Sequence, residues 1–306
     1  MGVIRRLLAG AFVGSGLYWL WRYYFPQHSD LVLEDRVVLI NGAASGIGHA
    51  LAIAFARRGA RLVLVDHRKE ILEDIEHEIE PYAGDVMTIN TDVSGNRNRE
   101  RILNRILKTF GQVDVLVNGP GVAGGGLLEE HEESDVEEII NTNLINSIQL
   151  TRQILPQMLR QGEGYIVNIG SALGRVAAPG AGPYVASTFG LSGFSDSLRR
   201  ELDGTGIDVL LVLPGWTRSA AISDAALEIV EQSLTGHIIE DVESIAEKIV
   251  DGLVKGASEM VFGARLHQFA LLLERYMPGV MRLYWQRVFP RWLEAVRQIN
   301  RSPGDH

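Results

Sequence analysis

A chain of 306 residues with no cysteine cannot be a disulfide scaffold, hold a metal through thiolates or use a thiol nucleophile. Its 8 histidines include no His-Glu-x-x-His pair or similar spacing, so metal catalysis is not expected. No internal repeat or low-complexity tract interrupts the sequence. Basic charge is scarce over most of its length. The net charge is −9. Residues 1–25 carry 3 arginines and no acid, and residues 264–306 carry 7 arginines against Glu274, Glu294 and Asp305, so the ends are +3 and +4 and the middle is left with −16. An acidic middle argues against nucleic acid as a substrate. Basic ends interleaved with Trp, Tyr and Phe suit an anionic membrane surface.

With 46% hydrophobic residues the chain can bury one large α/β core, and no second set of strand signals argues for another. Three segments are expected: an anchor and linker over 1–30, one α/β domain over 31–263, and a basic aromatic tail over 264–306. Residues 7–21 carry no charge, and apolar character continues past Arg22 to Phe25. That run approaches the ~20 residues needed to cross a bilayer, with Arg5 and Arg6 before it and Tyr18, Trp19, Trp21, Tyr23 and Tyr24 as an interfacial cluster. The reading is an uncleaved single anchor; a cleaved signal peptide and a soluble helix are the alternatives. Gly10-x-x-x-Gly14 suits helix pairing but is also common in ordinary spans. The tail reads as short amphipathic helices broken at Pro278 and Pro290. It either packs on its own core or a second subunit, or meets a membrane, and in each case lies near the mouth of a substrate pocket.

Between the ends, strand and helix patterns alternate, which predicts a doubly wound, Rossmann-type parallel sheet of about seven strands with helices on both faces. Strands are expected at 37–40, 62–65, 86–90, 113–117, 165–169, 208–213 and 260–262. Helices are expected at 47–58, 69–80, 98–110, 136–160, 183–203 and 242–254. The acids within 129–138 read as a solvated helix start, with Ser134 and Glu137 as a capping box.

Asn41-Gly42-Ala43-Ala44-Ser45-Gly46-Ile47-Gly48 lies between the first strand and first helix. There the amides of Ser45, Gly46 and Ile47 and the helix dipole can bind a pyrophosphate, and the glycines allow a tight turn and close approach. Asp66 ends the second strand, where a carboxylate accepts bonds from both ribose hydroxyls and repels a 2′-phosphate. That favours NAD over NADP, with Arg68 nearby working the other way. Asp92 and Val93 follow the third strand; Asp92 could equally make a loop Asx-turn.

Ser171, Tyr184 and the flanking Tyr-Val-Ala-Ser-Thr-Phe-Gly-Leu-Ser-Gly-Phe run, with Gly-x-x-x-Gly-x-Gly at 42–48, resemble the short-chain dehydrogenase/reductase family over roughly residues 34–262. The resemblance implies a hydride-transferring oxidoreductase. Ser171 would bind the substrate oxygen, Tyr184 would exchange a proton with it, and Asn143 would hold a water in the proton relay. Asp92 would contact adenine. Asn118 and Gly121 match the family's Asn-Asn-Ala-Gly, whereas Gly119 and Pro120 depart from it. Pro214, Gly215, Thr217 and Ser219 would grip the nicotinamide amide. The helices at 136–160 and 183–203 match those that pair subunits in the family, implying a homodimer or homotetramer.

One position departs sharply. The family's lysine, one helical turn after the tyrosine, is Thr188, which expects to bond back to the Tyr184 carbonyl. A free phenol titrates near ~10, so only about one in a thousand is ionised at neutral pH. Arg175 or Arg218 could supply a cation from a loop. The expected reaction is oxidoreduction of an apolar alcohol or ketone; residues 220–230 suit an apolar lid, and the protein is expected on the cytoplasmic face of a membrane. The alternative is a catalytically impaired NAD(H)-binding sensor, scaffold or partner subunit.

Overall fold

The computed structural model describes residues 31–119, 121–217, 240–263, 274 and 276–299. The expected anchor at 7–25, Arg218, Ser219 and the lid candidates at 220–230 lie outside the described residues. Among those described, no helix is long and apolar enough to cross a membrane.

Seven parallel strands form one sheet in the order β3-β2-β1-β4-β5-β6-β7: β1 Val37–Asn41, β2 Arg61–Asp66, β3 Val86–Asn90, β4 Val115–Asn118, β5 Gly164–Ile169, β6 Ile207–Leu213 and β7 Glu259–Val261. Six long helices alternate with them: α1 Gly46–Ala56, α2 Lys69–Ile79, α3 Asn96–Phe110, then α4 Glu133–Ile140 and α5 Asn146–Gln161 joined in one rod, and α6 Gly182–Glu201; α7 Val242–Val254 follows β6. The central strands are apolar on both faces, as a sheet covered on both sides requires. Val38, Ile40, Leu62 and Leu64 face α1, α2 and α7, while Leu39, Val63, Leu116 and Ile166 face α3, α5 and α6.

Three local expectations need correction. The helix expected over 136–160 contains one wide turn, a π-helix at Asn141–Ile145, closed by the Asn146 amide on the Asn141 carbonyl. Its first turn is capped at Glu132, whose amide donates to Asp135 at 3.3 Å, so the Ser134 box is displaced by two residues. Among the described residues the tail does break just before Pro278, as expected, but not at Pro290: α8 Pro278–Ile299 runs through that proline, where packing on the domain outweighs the single backbone bond lost.

The amino edge of the sheet is tied by a polar knot. Asp114 accepts from the Val37 amide at 2.7 Å, from Arg36 at 3.0 Å and from Gln112 at 2.8 Å. Arg36 also forks onto Glu163 at 2.9 and 3.1 Å. Because Asp114 is only 4% exposed, removing it leaves a buried amide and a charge without their acceptor. Asp114→Ala is therefore expected to lose about 2–4 kcal/mol of stability, read as a lower urea midpoint. A change below about 0.5 kcal/mol, the scale of an ordinary surface substitution, would show the knot to be incidental.

Candidate active site

The predicted residues within the described structure gather at the carboxyl edge of the sheet, where each strand gives way to a loop. Gly42 takes φ +79°, a left-handed turn that suits glycine. A Cβ on Gly48 would come 2.1 Å from the Gly42 carbonyl, so the turn and α1 close only with glycine there. Ser45 caps α1, accepting from the Gly48 amide at 3.1 Å and donating to the Gly42 carbonyl at 2.7 Å. Gly46 and Ile47 begin the helix, where first-turn amides have no carbonyl partner within the helix itself.

β1 and β4 are adjacent, with Asn41 beside Asn118, and the chain leaves them toward opposite sides of the sheet. That is the switch point at which open α/β sheets form a ligand crevice. Two buried polar atoms there, Asn41 Nδ2 and Asn118 Oδ1, have no partner among the described residues. The other side of the Asn118 amide is firmly held, its Nδ2 donating to Thr151 at 3.0 Å and to Asn168 at 2.9 Å. Asn168 in turn donates to Ser195 at 2.9 Å. This buried chain from α5 through β4 and β5 to α6 was not foreseen from the sequence; short polar residues on separate elements carry no common spacing. A tight glycine turn, a free helix N-terminus and orphaned amide groups fit a dinucleotide.

Asp66 is almost fully buried and already well supplied with donors: Ala44 N at 3.1 Å, Arg68 N and Nε each at 3.1 Å, and Arg68 Nη2 at 3.3 Å. Burial pushes its carboxyl up, but the Arg68 bonds outweigh this and hold it below the usual range. Asp92 makes the Asx-turn allowed for it, accepting from the Ser94 amide at 2.8 Å and from the Ser94 hydroxyl. Val93 is buried beside it, its carbonyl held by Arg99 at 2.6 Å.

Ser171 follows β5 and caps a short turn, accepting from Leu173 N at 3.2 Å. Its hydroxyl lies by the Tyr184 phenol near the start of α6. Burial raises the phenol above its ordinary value, and the Ser171 hydroxyl acts against this. Thr188 turns back as expected, donating to the Tyr184 carbonyl at 3.1 Å and the Val185 carbonyl at 3.2 Å. Arg175 does not stand in for a lysine: it pairs with Asp196 at 2.9 Å and Glu259 at 2.7 Å.

Asn143 lies in the π-turn, a common device at functional sites. Its Oδ1 accepts from Val122 N at 2.8 Å, and its Nδ2 donates to the Val122 carbonyl at 3.0 Å and to Ser187 at 3.1 Å. Ser187 donates onward to the Tyr184 carbonyl at 2.8 Å. With both amide hydrogens used, the side chain is a strut between the loop after β4 and α6. Pro214, Gly215 and Thr217 follow β6; the Pro214 carbonyl accepts from Ala172 N at 2.8 Å, which joins this segment to the Ser171 turn.

α8 covers the same edge. Trp292 is buried and donates to the Pro179 carbonyl at 2.6 Å, and its ring meets Trp216 edge-on at 5.8 Å. Val296 packs so tightly on Gly125 that a Cβ there would fall 2.5 Å from its carbonyl. The tail thus packs on its own domain, against the loops after β4, β5 and β6. Trp292 is one of the tail aromatics expected near the pocket mouth, but its pairing with Trp216 was not foreseen from the sequence. Among the described residues, no group of three or more His, Cys, Asp or Glu is placed to hold a metal.

Comparison with known proteins agrees with this geometry. Residues 36–228 match the family model described as short chain dehydrogenase. The chain is 36% identical over 184 residues, 60% of its length and 75% of the relative's, to the 3-oxoacyl-[acyl-carrier-protein] reductase FabG of Thermotoga maritima. It is 28% identical over 276 residues, 87% of its length and 85% of the relative's, to dehydrogenase/reductase SDR family member 7B of Bos taurus. A solved short-chain dehydrogenase from Streptomyces avermitilis superposes with a TM-score of 0.69 at 27% identity, covering 84% of this chain and 97% of that one. A seven-stranded doubly wound sheet with a glycine turn at its switch point, a serine–tyrosine pair beside it and a family match over most of the domain place the chain in the short-chain dehydrogenase/reductase family.

Proposed function

We propose that the chain is an oxidoreductase that transfers hydride between a nicotinamide cofactor, NAD in preference to NADP, and an apolar alcohol or ketone. The observation that carries this reading is the Ser171–Tyr184 hydroxyl pair, set beside a crevice whose turn and orphaned amides fit the cofactor. Gly42, Ser45, Gly46, Ile47 and Gly48 would hold its pyrophosphate, Asp66 the adenosine ribose, Asp92 and Val93 the adenine, and Asn118, Pro214, Gly215, Thr217 and Ser219 the nicotinamide half. The cofactor supplies or accepts the hydride. Ser171 orients the substrate oxygen and Tyr184 donates a proton to it in reduction, or removes one in oxidation. Asn143 positions Tyr184 through Ser187.

Carbonyl reduction needs a neutral tyrosine as acid, whereas oxidation needs the phenolate as base. With the phenol raised by burial and Thr188 contributing no charge, Tyr184 stays protonated across neutral pH. That favours assays in the reducing direction there, and several relatives carry ketoacyl reductase names. The same threonine supports a second reading, a nicotinamide-binding sensor, scaffold or partner subunit with impaired chemistry.

Leu173, Val185, Trp216, Phe289 and Leu293 form an apolar cluster around the site mouth, which supports an apolar substrate. The uncharged run at 7–21 supports attachment to a membrane, with the domain on the cytoplasmic side where the cofactor is available. Family members are typically oligomeric, and exposed Ile145, Leu159 and Phe189 on or beside α5 and α6 support pairing of two or four copies.

With NADH and a panel of apolar ketones, Tyr184→Phe is expected to cut turnover by about 100-fold or more while NADH still binds. Cofactor binding without turnover on any ketone would favour the sensor. Oxidation by the native chain is expected to rise with pH above about 8 as the phenol begins to ionise. Thr188→Lys should raise that rate near neutrality and move the profile down, because a cation stabilises the phenolate; an unchanged profile would sink the role given to Thr188. Arg68→Ala should raise the preference for NADH over NADPH, because it removes a cation that shields Asp66. A fall in the NADPH dissociation constant relative to that of NADH would overturn that assignment.

A further inference from the structure

α8 has two apolar faces, and among the described residues only one of them is packed. Met281, Trp285, Val288, Phe289, Trp292 and Val296 recur at helical spacing, and all but Met281 are half-buried or better within the cluster over the site. Another row points outward. Val280, Leu283 and Tyr284 are 42%, 57% and 38% exposed, and Met277, just before the helix, is 51% exposed. Arg287 and Arg291 continue this outer row, and Arg282 flanks it; all three are exposed. No acid occurs from residue 276 through residue 293.

An apolar and tyrosine-bearing strip that passes into arginines, with no acid to repel phosphate, matches the interface of an anionic bilayer. Arginine at that depth keeps its charge among lipid phosphates while its stem lies along the acyl boundary. A second copy of the chain would bring the same arginines together by symmetry, which disfavours a self-paired face. The uncharged run at 7–21 would tether the domain close to the same surface.

We propose that the outer face of α8, centred on Leu283, rests in an anionic lipid surface while the inner face closes the candidate active site. The helix then stands between bilayer and site mouth. On the reading that the substrate is apolar, this lets it arrive from the lipid without crossing water.

The absence of cysteine makes the test clean. Leu283→Cys in the full chain is labelled with a polarity-sensitive fluorophore, and Glu201→Cys at the far end of α6, on the opposite edge of the sheet, serves as control. Each is reconstituted into vesicles of phosphatidylcholine alone or of equal parts phosphatidylcholine and phosphatidylserine, with and without a spin-labelled lipid as quencher. The expected result is a blue-shifted, lipid-quenched label at position 283 in the phosphatidylserine vesicles and a water-exposed label at 201. Arg282→Gln and Arg287→Gln should each weaken the 283 signal on the order of fivefold in lipid affinity. A label at 283 that stays in water on anionic vesicles overturns the proposal. So does a blue shift without lipid accompanied by 283–283 cross-linking, which would assign the face to a second copy. The readout involves no turnover, so its failure is distinct from failure of the proposed reaction.

Discussion

The parallel pairing of β1 with β4 is the contact on which the rest of this molecule depends. Because β1 continues toward β2 and β4 continues toward β5, the connections diverge at the sheet's carboxyl edge and leave a crevice between Asn41 and Asn118. A crevice in that place has amides on one wall from the turn into α1 and hydroxyls on the other from the loops after β5. Had the two strands been separated by another, the glycine turn and the Ser171–Tyr184 pair would face different grooves. The pairing is secured at the opposite edge by the buried Asp114 carboxylate, which accepts from the Val37 amide at the start of β1. At the crevice edge, the amide of Asn118 is fixed by Thr151 and Asn168.

The chemistry at the crevice is shaped by one missing charge. Thr188 has a buried hydroxyl that needs an acceptor, and the helix backbone supplies two at close range. Nothing about that arrangement holds Tyr184 ionised. Nor does Arg175 compensate, since two carboxylates already claim it. What remains is a phenol suited to give a proton and poorly suited to take one near neutrality. On the proposed reaction, direction and pH dependence would become properties of a single side chain, with the equilibrium untouched.

The C-terminal helix converts an open edge into an enclosed one. Trp292 spans two loops at once, bonding the Pro179 carbonyl ahead of α6 and stacking edge-on with Trp216 after β6. Closure of the site therefore relies on a segment outside the matched family region, built from aromatic residues whose indole area makes up for a short interface. Pro290 inside this helix illustrates the same balance, because the local cost of a lost backbone bond is small beside the burial of Trp292 and Val296.

Much of this was legible in sequence order. Alternating apolar strands and amphipathic helices announce a doubly wound sheet because each pattern is local and repeats. The glycine turn and Asp66 are legible for the same reason, since turn geometry acts over a few residues, whereas the Ser171–Tyr184 pair was read from its resemblance to the family. Thr188 turning back on its own helix was readable too, since its acceptors lie three and four residues away. The sequence could not show that Arg68 sits on Asp66, that Asn143 is spent on Val122 and Ser187, that Asn118 belongs to a chain reaching Ser195, or that Trp292 would find Trp216. Those contacts join residues far apart in the chain, or choose among several acceptors equally near. The sequence by itself determined the family and the kind of chemistry, because backbone turns and helix faces are set by neighbours. Only the tertiary structure decided which charges are already paired and what closes the site, because burial and long-range packing select one partner from many.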